Sequence, residues 1–192
     1  MALCCRRVSR PVRNQRLFVA VYPPLEVLRS MVQALDAVRG LPAFEPTPPE
    51  LVHLTVLFLG DVAAKDLSHV CESIERSTAG IGAMILCPRI LVTLPRADAA
   101  RLIACAIDAP GTLVDLHRRL ALRLATNRRQ KQPDGDYSPH VTLGRFPSPT
   151  PVTPLERAVA IAPFRIDKIH LMRTVLRPGG TRHELVHTFA LE

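Results

Sequence analysis

Apolar residues fall in short runs whose period switches between two and about 3.6 along the chain. Arg16-Leu-Phe-Val-Ala-Val-Tyr22 is a β-branched and aromatic run closed by Pro23-Pro24, which predicts a strand. From Leu25 to Val38, Leu28, Met31, Val32 and Leu35 recur at helical spacing. Pro42, Pro46, Pro48 and Pro49 mark a loop, and Leu51 to Leu59 predicts a strong strand stopped by Gly60-Asp61. Ala64 to Thr78 reads as a helix with Leu67, Val70, Cys71 and Ile74 on one face. Met84–Leu94 and Arg101–Ile107 read as strands paired around Pro95-Arg-Ala-Asp98, and Gly111 to Arg128 as a helix through Leu113, Leu116, Leu120 and Leu124. After a polar loop from Asn127 to Pro139, His140 to Phe146 is a strand, followed by a stiff linker with Pro147, Pro149, Pro151 and Pro154. Phe164–Leu176 and Glu184–Leu191 close the chain as strands around Pro178-Gly-Gly180. This order predicts an α+β fold or an α/β fold, in either case with largely antiparallel sheet. No Gly-rich phosphate loop is present, since Gly80-Ile-Gly82 is too short to be one.

Composition narrows the class of partner. The 192 residues suffice for a core without a metal or disulfide staple. A net charge of +8 favours a polyanionic partner such as nucleic acid or an anionic surface. Six Phe, two Tyr and no Trp argue against a broad base-stacking platform. The five cysteines form no Cys-x-x-Cys pair, which leaves them as small hydrophobes in a reducing compartment. Residues 1–15 carry four arginines, Arg6, Arg7, Arg10 and Arg13, without the apolar stretch of a secretory signal, and read as a flexible basic tail. No apolar run approaches membrane-spanning length. The expected setting is the cytoplasm.

The chemistry lies in a tripeptide that occurs twice. Val52-His53-Leu54-Thr55-Val56-Leu57 returns in reduced form as Pro139-His140-Val141-Thr142-Leu143. In a strand, residues i and i+2 share a face, so each copy projects an imidazole and a hydroxyl together. In the first copy Val52, Leu54, Val56 and Phe58 are expected on the opposite face, in the core. Two such pairs suit in-line displacement at phosphorus. One imidazole takes a proton from the entering oxygen and the other gives one to the leaving oxygen, near neutral pH. The two hydroxyls can donate to the nonbridging oxygens as charge develops there. No carboxylate cluster that would hold a metal is evident.

These residues and their surroundings resemble the 2H phosphoesterase superfamily, and within it the bacterial and archaeal RNA 2′,3′-cyclic phosphodiesterases, also called 2′-5′ RNA ligases. Arg16-Leu-Phe-Val-Ala-Val resembles the opening strand of that family. Leu51-Val-His53-Leu-Thr55-Val-Leu-Phe-Leu-Gly60 resembles its first motif, Tyr137-Ser-Pro-His140-Val-Thr142-Leu-Gly-Arg145 its second, and Leu176-Arg-Pro-Gly-Gly180 its C-terminal hairpin. One departure is His183, where relatives often carry Tyr. The resemblance implies one bilobal α+β domain over residues 16–192. Its two lobes would be related by a pseudo-twofold axis, with antiparallel sheets lining a central groove and helices outside. It implies metal-independent, cofactor-free hydrolysis of an RNA terminal 2′,3′-cyclic phosphate to a 2′-phosphomonoester. His53 would protonate the leaving O3′ and His140 would activate water, with the reverse allowed by the near-symmetry. Thr55 and Thr142 would bind the phosphate. Arg145 would bind phosphate or substrate, although strict alternation puts it on the face opposite His140 unless a bulge or the end of the strand intervenes. The expected partner is RNA with a cyclic phosphate end, or a related nucleotide, acting on a monomer away from membranes. Two other readings stay open: a phosphodiesterase of small cyclic or 2′,5′-linked nucleotides, and an RNA-binding module without catalysis.

Two further signals compete. His183-Glu-Leu-Val-His187 matches the His-Glu-x-x-His zinc pattern. In a terminal strand, however, its histidines would stand about 13 Å apart, too far to share one zinc. Arg118, Arg119, Arg123, Arg128, Arg129 and Lys131 form a basic stretch that reads equally as a solvated face or as a track for an RNA backbone beside the groove. His69, His117 and His170 have no partner pattern and read as surface or satisfied core residues.

Overall fold

A computed structural model describes residues 14–124 and 137–192. The basic tail expected over residues 1–15 lies outside these, except for Asn14 and Gln15. Arg128, Arg129 and Lys131 lie outside them as well.

The strands are β1 (Asn14–Val21), β2 (Glu45–Pro46), β3 (Leu54–Ala63), β4 (Met84–Leu94), β5 (Ala100–Asp108), β6 (His140–Thr150), β7 (Glu156–Ala158), β8 (Phe164–Ile166), β9 (Lys168–Arg177) and β10 (Gly180–Ala190). The α-helices are α1 (Leu25–Asp36), α2 (Leu67–Thr78) and α3 (Gly111–Leu124). The sheet runs β10-β9-β1-β3-β6-β5-β4-β7, with β2 added to β6 and β8 to β4. Its pairings are antiparallel, which removes the α/β alternative. Four strands lie on the β3 side of the β3–β6 junction and six, with β2 and β8, on the β6 side; that junction is a single residue pair, Leu54 opposite Val141.

One face of this sheet is the core. Leu17, Val19 and Val21 of β1, Leu54 of β3, Ile103 and Cys105 of β5 and Val141 of β6 pack there against the apolar stripes of the helices. Those stripes are Val27, Leu28, Met31 and Leu35 on α1, Val70 and Ile74 on α2, and Leu113, Leu116 and Leu120 on α3. Val32, placed on the α1 stripe by spacing, is exposed instead. Among the described residues the opposite face carries no α-helix; its apolar cluster is Phe18, Ala20 and Met172 with Tyr22. Among the described residues no helix is long and apolar enough to cross a membrane.

Several boundaries differ from the sequence expectation. Leu51 ends a 3₁₀ turn (Pro49–Leu51), so β3 starts at Leu54 and not at Leu51. Gly60 does not stop β3. Its positive φ of 69° accommodates a register shift opposite Leu17/Phe18, and the strand continues to Ala63. The Pro147–Pro154 linker is partly strand, because β6 runs through Pro147 and Pro149 to Thr150. The expected strand Phe164–Leu176 is split into β8 and β9. Arg118, Arg119 and Arg123 lie on α3, in the helical layer. They therefore do not form a track on the helix-free face.

Phe58 is also misplaced by simple alternation. A second register shift, between the pairs Val19/Leu57 and Ala20/Thr55, leaves Val56 as an extra residue. Beyond it the faces exchange, and Phe58 stands on the helix-free face at 65% exposure, beside Phe18.

Gly144 shows how tightly β2 is held. A Cβ built there would lie 2.6 Å from the Phe44 ring and 3.3 Å from the Glu45 carbonyl oxygen. Gly144→Ala is therefore expected to lower stability by about 1–3 kcal/mol through overpacking, read as a lower midpoint in urea unfolding. An unchanged midpoint would mean that β2 does not lie on Gly144.

Candidate active site

The junction pair decides what meets across the sheet. The ladder pairs only Leu54 with Val141, and the same antiparallel register carried one step further aligns His53 with Thr142 and Thr55 with His140. Leu54 and Val141 are fully buried on the core face, so their neighbours on both strands turn to the helix-free face. The two imidazoles and two hydroxyls thus lie on one face around the junction.

Arg145 joins them through a bulge. β6 pairs Thr142 with Ala104 but Gly144 with Ile103, so Leu143 is the extra residue, and Arg145 then pairs with Leu102. Because Leu102 and Ala104 lie two apart on β5, Arg145 shares the face of Thr142 and His140. Its charge reaches His53.

Both histidines are fixed in the same way. His53 Nδ1–H donates to the Leu51 carbonyl at 2.6 Å, and His140 Nδ1–H donates to the Ser138 carbonyl at 2.8 Å. A carbonyl only accepts, so in each neutral ring Nδ1 carries the proton and Nε2 keeps the lone pair. The carbonyl lies two residues back in each case.

Around His53 the sequence reading missed most of the environment. Phe18 and Tyr22 of the β1 end lie 4.9 and 5.7 Å from its ring, and His183 of β10 meets it edge-on at 4.9 Å. The Tyr22 hydroxyl is 3.3 Å from His183 Nδ1, and Phe18 also packs on His183 at 4.7 Å. His170 contacts Tyr22 at 6.0 Å and bonds Thr188 Oγ1 at 3.0 Å. The alternation of β1 could have shown that Phe18 and Tyr22 share a face, but nothing local places His183 or His170 beside His53. Burial, together with the charges of His183, Arg145 and His140, pulls the pKa of His53 down to about 4, against the bond to Leu51. Burial also lowers those of His183 and His170.

The zinc-like pattern dissolves in β10. A register shift between Leu185 and His187 leaves His183 opposite Thr174 on the helix-free side and His187 opposite Leu171 on the core side. Among the described residues no group of three or more His, Cys, Asp or Glu side chains could hold a metal ion. Cys71, Cys87 and Cys105 are free thiols, with Cys105 buried.

A sequence model of the 2′-5′ RNA ligase superfamily matches residues 23–177. The chain belongs to the 2′-5′ RNA ligase superfamily. A protein of Thermus thermophilus named RNA 2′,3′-cyclic phosphodiesterase is 28% identical over 183 residues, covering 92% of this chain and 90% of the relative. One of the same name from Methanothermobacter thermautotrophicus is 25% identical over 149 residues, covering 74% and 80%. The crystal structure of TT0787 of Thermus thermophilus is similar at a TM-score of 0.78 and 27% identity, over 92% of this chain and 97% of that one. Escherichia coli LigT, solved with phosphate, shares the fold at a TM-score of 0.75 and 21% identity, over 93% and 98%. The α+β, bilobal 2H phosphoesterase architecture is therefore that of this superfamily member.

The depressed pKa of His53 has a consequence for stability. The unfolded chain binds this proton near pH 6.5, whereas the folded site takes it up only near pH 4. The contribution of His53 is thus complete above about pH 6.5 and is lost as pH falls from there toward about 4. In ring NMR the His53 resonance is expected to titrate near pH 4. The urea midpoint of His53→Gln should fall less than that of the wild type across the same window. Titration of His53 near pH 6.5 would contradict the burial described for it.

Proposed function

We propose that this superfamily member hydrolyses the terminal 2′,3′-cyclic phosphate of RNA to a 2′-phosphomonoester, using two histidines and no metal. The observation that carries the reading is the placement of His53, Thr55, His140 and Thr142 on one face around the Leu54–Val141 pair, with both Nδ1 atoms bonded to backbone carbonyls in the same way. The names of the Thermus and Methanothermobacter relatives support the substrate class.

In the reaction, water attacks phosphorus opposite O3′, and the P–O3′ bond breaks as the new P–O bond forms. One imidazole removes a proton from the water and the other delivers one to O3′. Thr55 and Thr142 donate to the nonbridging oxygens, and Arg145 offsets the developing negative charge. Burial, the largest influence on His53, lowers its pKa to about 4 and keeps its ring neutral at neutral pH in the free enzyme. Either imidazole can serve as the base with the other as the acid, as the near-symmetry of the two motifs allows.

The test is turnover of an oligoribonucleotide ending in 2′,3′-cyclic phosphate, in the presence of EDTA. Activity is expected to persist, and His53→Ala and His140→Ala each to lose about 10²–10⁴-fold. With His53 as the base, the acid limb of kcat/KM should lie well below pH 6.5 and vanish in the residual activity of His53→Ala. Wild-type turnover in both variants would defeat the two-histidine mechanism, and a requirement for added zinc would defeat its metal independence. Binding of RNA should weaken steeply with salt, whereas a mononucleotide substrate would give a shallow slope.

A further inference from the structure

The two motifs are also joined by a contact that neither contains. In a regular strand successive carbonyls point to opposite edges. At the Val56 bulge of β3, two successive carbonyls are instead taken up by neighbouring donors. The Tyr137 hydroxyl donates to the Thr55 carbonyl at 3.1 Å, and His117 Nδ1–H donates to the Val56 carbonyl at 2.6 Å. The donor rings are stacked, 4.1 Å apart and 3° from parallel. Tyr137 lies three residues before His140, and His117 lies on α3. The Ile107 amide of β5 donates to the Pro139 carbonyl at 2.9 Å, which holds the same segment from its other side. Burial raises the pKa of the Tyr137 phenol, so it remains a donor throughout the working range.

The geometry points to Tyr137 as a positioning residue: through the Thr55 carbonyl, and braced by His117, it fixes where the Thr55 hydroxyl stands relative to His140. This rests on the reading that Thr55 meets the scissile phosphate. The bulge explains why such a device is needed. Thr55 still pairs with Ala20, but Val56 follows it as an extra residue, so the β1 ladder shifts register directly beyond the threonine. On the β6 side the ladder holds the one pair Leu54–Val141. Tyr137 and His117 take the two carbonyls at this shift, and Tyr137 does so from the segment that carries His140. Displacement of the Thr55 hydroxyl relative to His140 would therefore follow loss of one phenol hydroxyl, without loss of any group that touches substrate.

Tyr137→Phe keeps the stacked ring and deletes only the hydroxyl. On the cyclic-phosphate oligonucleotide it is expected to lower kcat about tenfold and to leave KM within about threefold. In a Thr55→Ala background the same change should alter kcat by less than about twofold, because its effect passes through Thr55. His117→Gln, whose amide can still donate to the Val56 carbonyl, should stay near wild type, whereas His117→Ala should fall as Tyr137→Phe does. Wild-type kcat in Tyr137→Phe, or an undiminished loss in the Thr55→Ala background, would overturn the inference. If Tyr137→Phe does not fold, a wild-type kcat in His117→Ala would overturn it equally. Full activity in Thr55→Ala and His53→Ala would instead remove the functional reading itself, so the two failures are told apart.

Discussion

A single buried strand pair, Leu54 opposite Val141, carries the arrangement on which everything else depends. It joins the β10-β9-β1-β3 half to the β6-β5-β4-β7 half with its added β2 and β8, and it is the whole of the β3–β6 ladder. Because the strands are antiparallel, the pair is a local twofold centre, and whatever precedes Leu54 must face whatever follows Val141. Both residues are apolar and fully buried against the helices, so a slip by one residue would turn two core side chains into solvent. The cost of that slip holds the imidazoles and hydroxyls on the open face. Hydrophobic burial on one side of the sheet thus sets the polar geometry on the other.

Bulges then correct the strict alternation wherever it would misplace a side chain. The extra Leu143 in β6 lets Thr142 and Arg145 share a face although they are three residues apart. The extra Val56 in β3 brings Phe58 out beside Phe18, and leaves the carbonyls that His117 and Tyr137 occupy. The Leu143 bulge is covered by β2, which can lie across β6 because residue 144 is glycine. These two bulges each follow directly on a motif threonine. The regular parts of these strands anchor the core, and the irregular parts aim the chemistry.

This division explains what was legible in the sequence. The His-x-Thr pairs were readable because period-two alternation is a local property, and it holds across His53–Thr55 and His140–Thr142. The helical stripes of α1, α2 and α3 were readable for the same reason. Arg145 and Phe58 were misassigned by alternation because a bulge is set by pairing with a distant strand. No tripeptide records that Leu143 has no partner on β5. His183 and His170 come from the C-terminal hairpin, and their approach to Tyr22 and His53 is a consequence of β9 pairing with β1. The strand limits at Leu51 and Gly60 failed because a 3₁₀ turn and a bulge glycine each carry the residue types of an ordinary boundary.

The scarcity of aromatic residues acquires a different meaning once they are located. Eight in the chain are too few for a surface that stacks many bases, and that inference treats them as spread evenly. They are concentrated instead. Phe18, Tyr22 and Phe58 gather on the open face near His53, Phe44 and Phe146 pack edge to face where β2 crosses β6, and Tyr137 stacks on His117 beneath the first motif. Buried rings desolvate His53 and hold it neutral, which a polar lining would not do. Phe58 is the exposed member of the group, at the end of a row that continues through Phe18 and Met172 to Leu185. Part of the small aromatic content is therefore gathered around His53, where it sets the electrostatics of one imidazole rather than a surface for many bases.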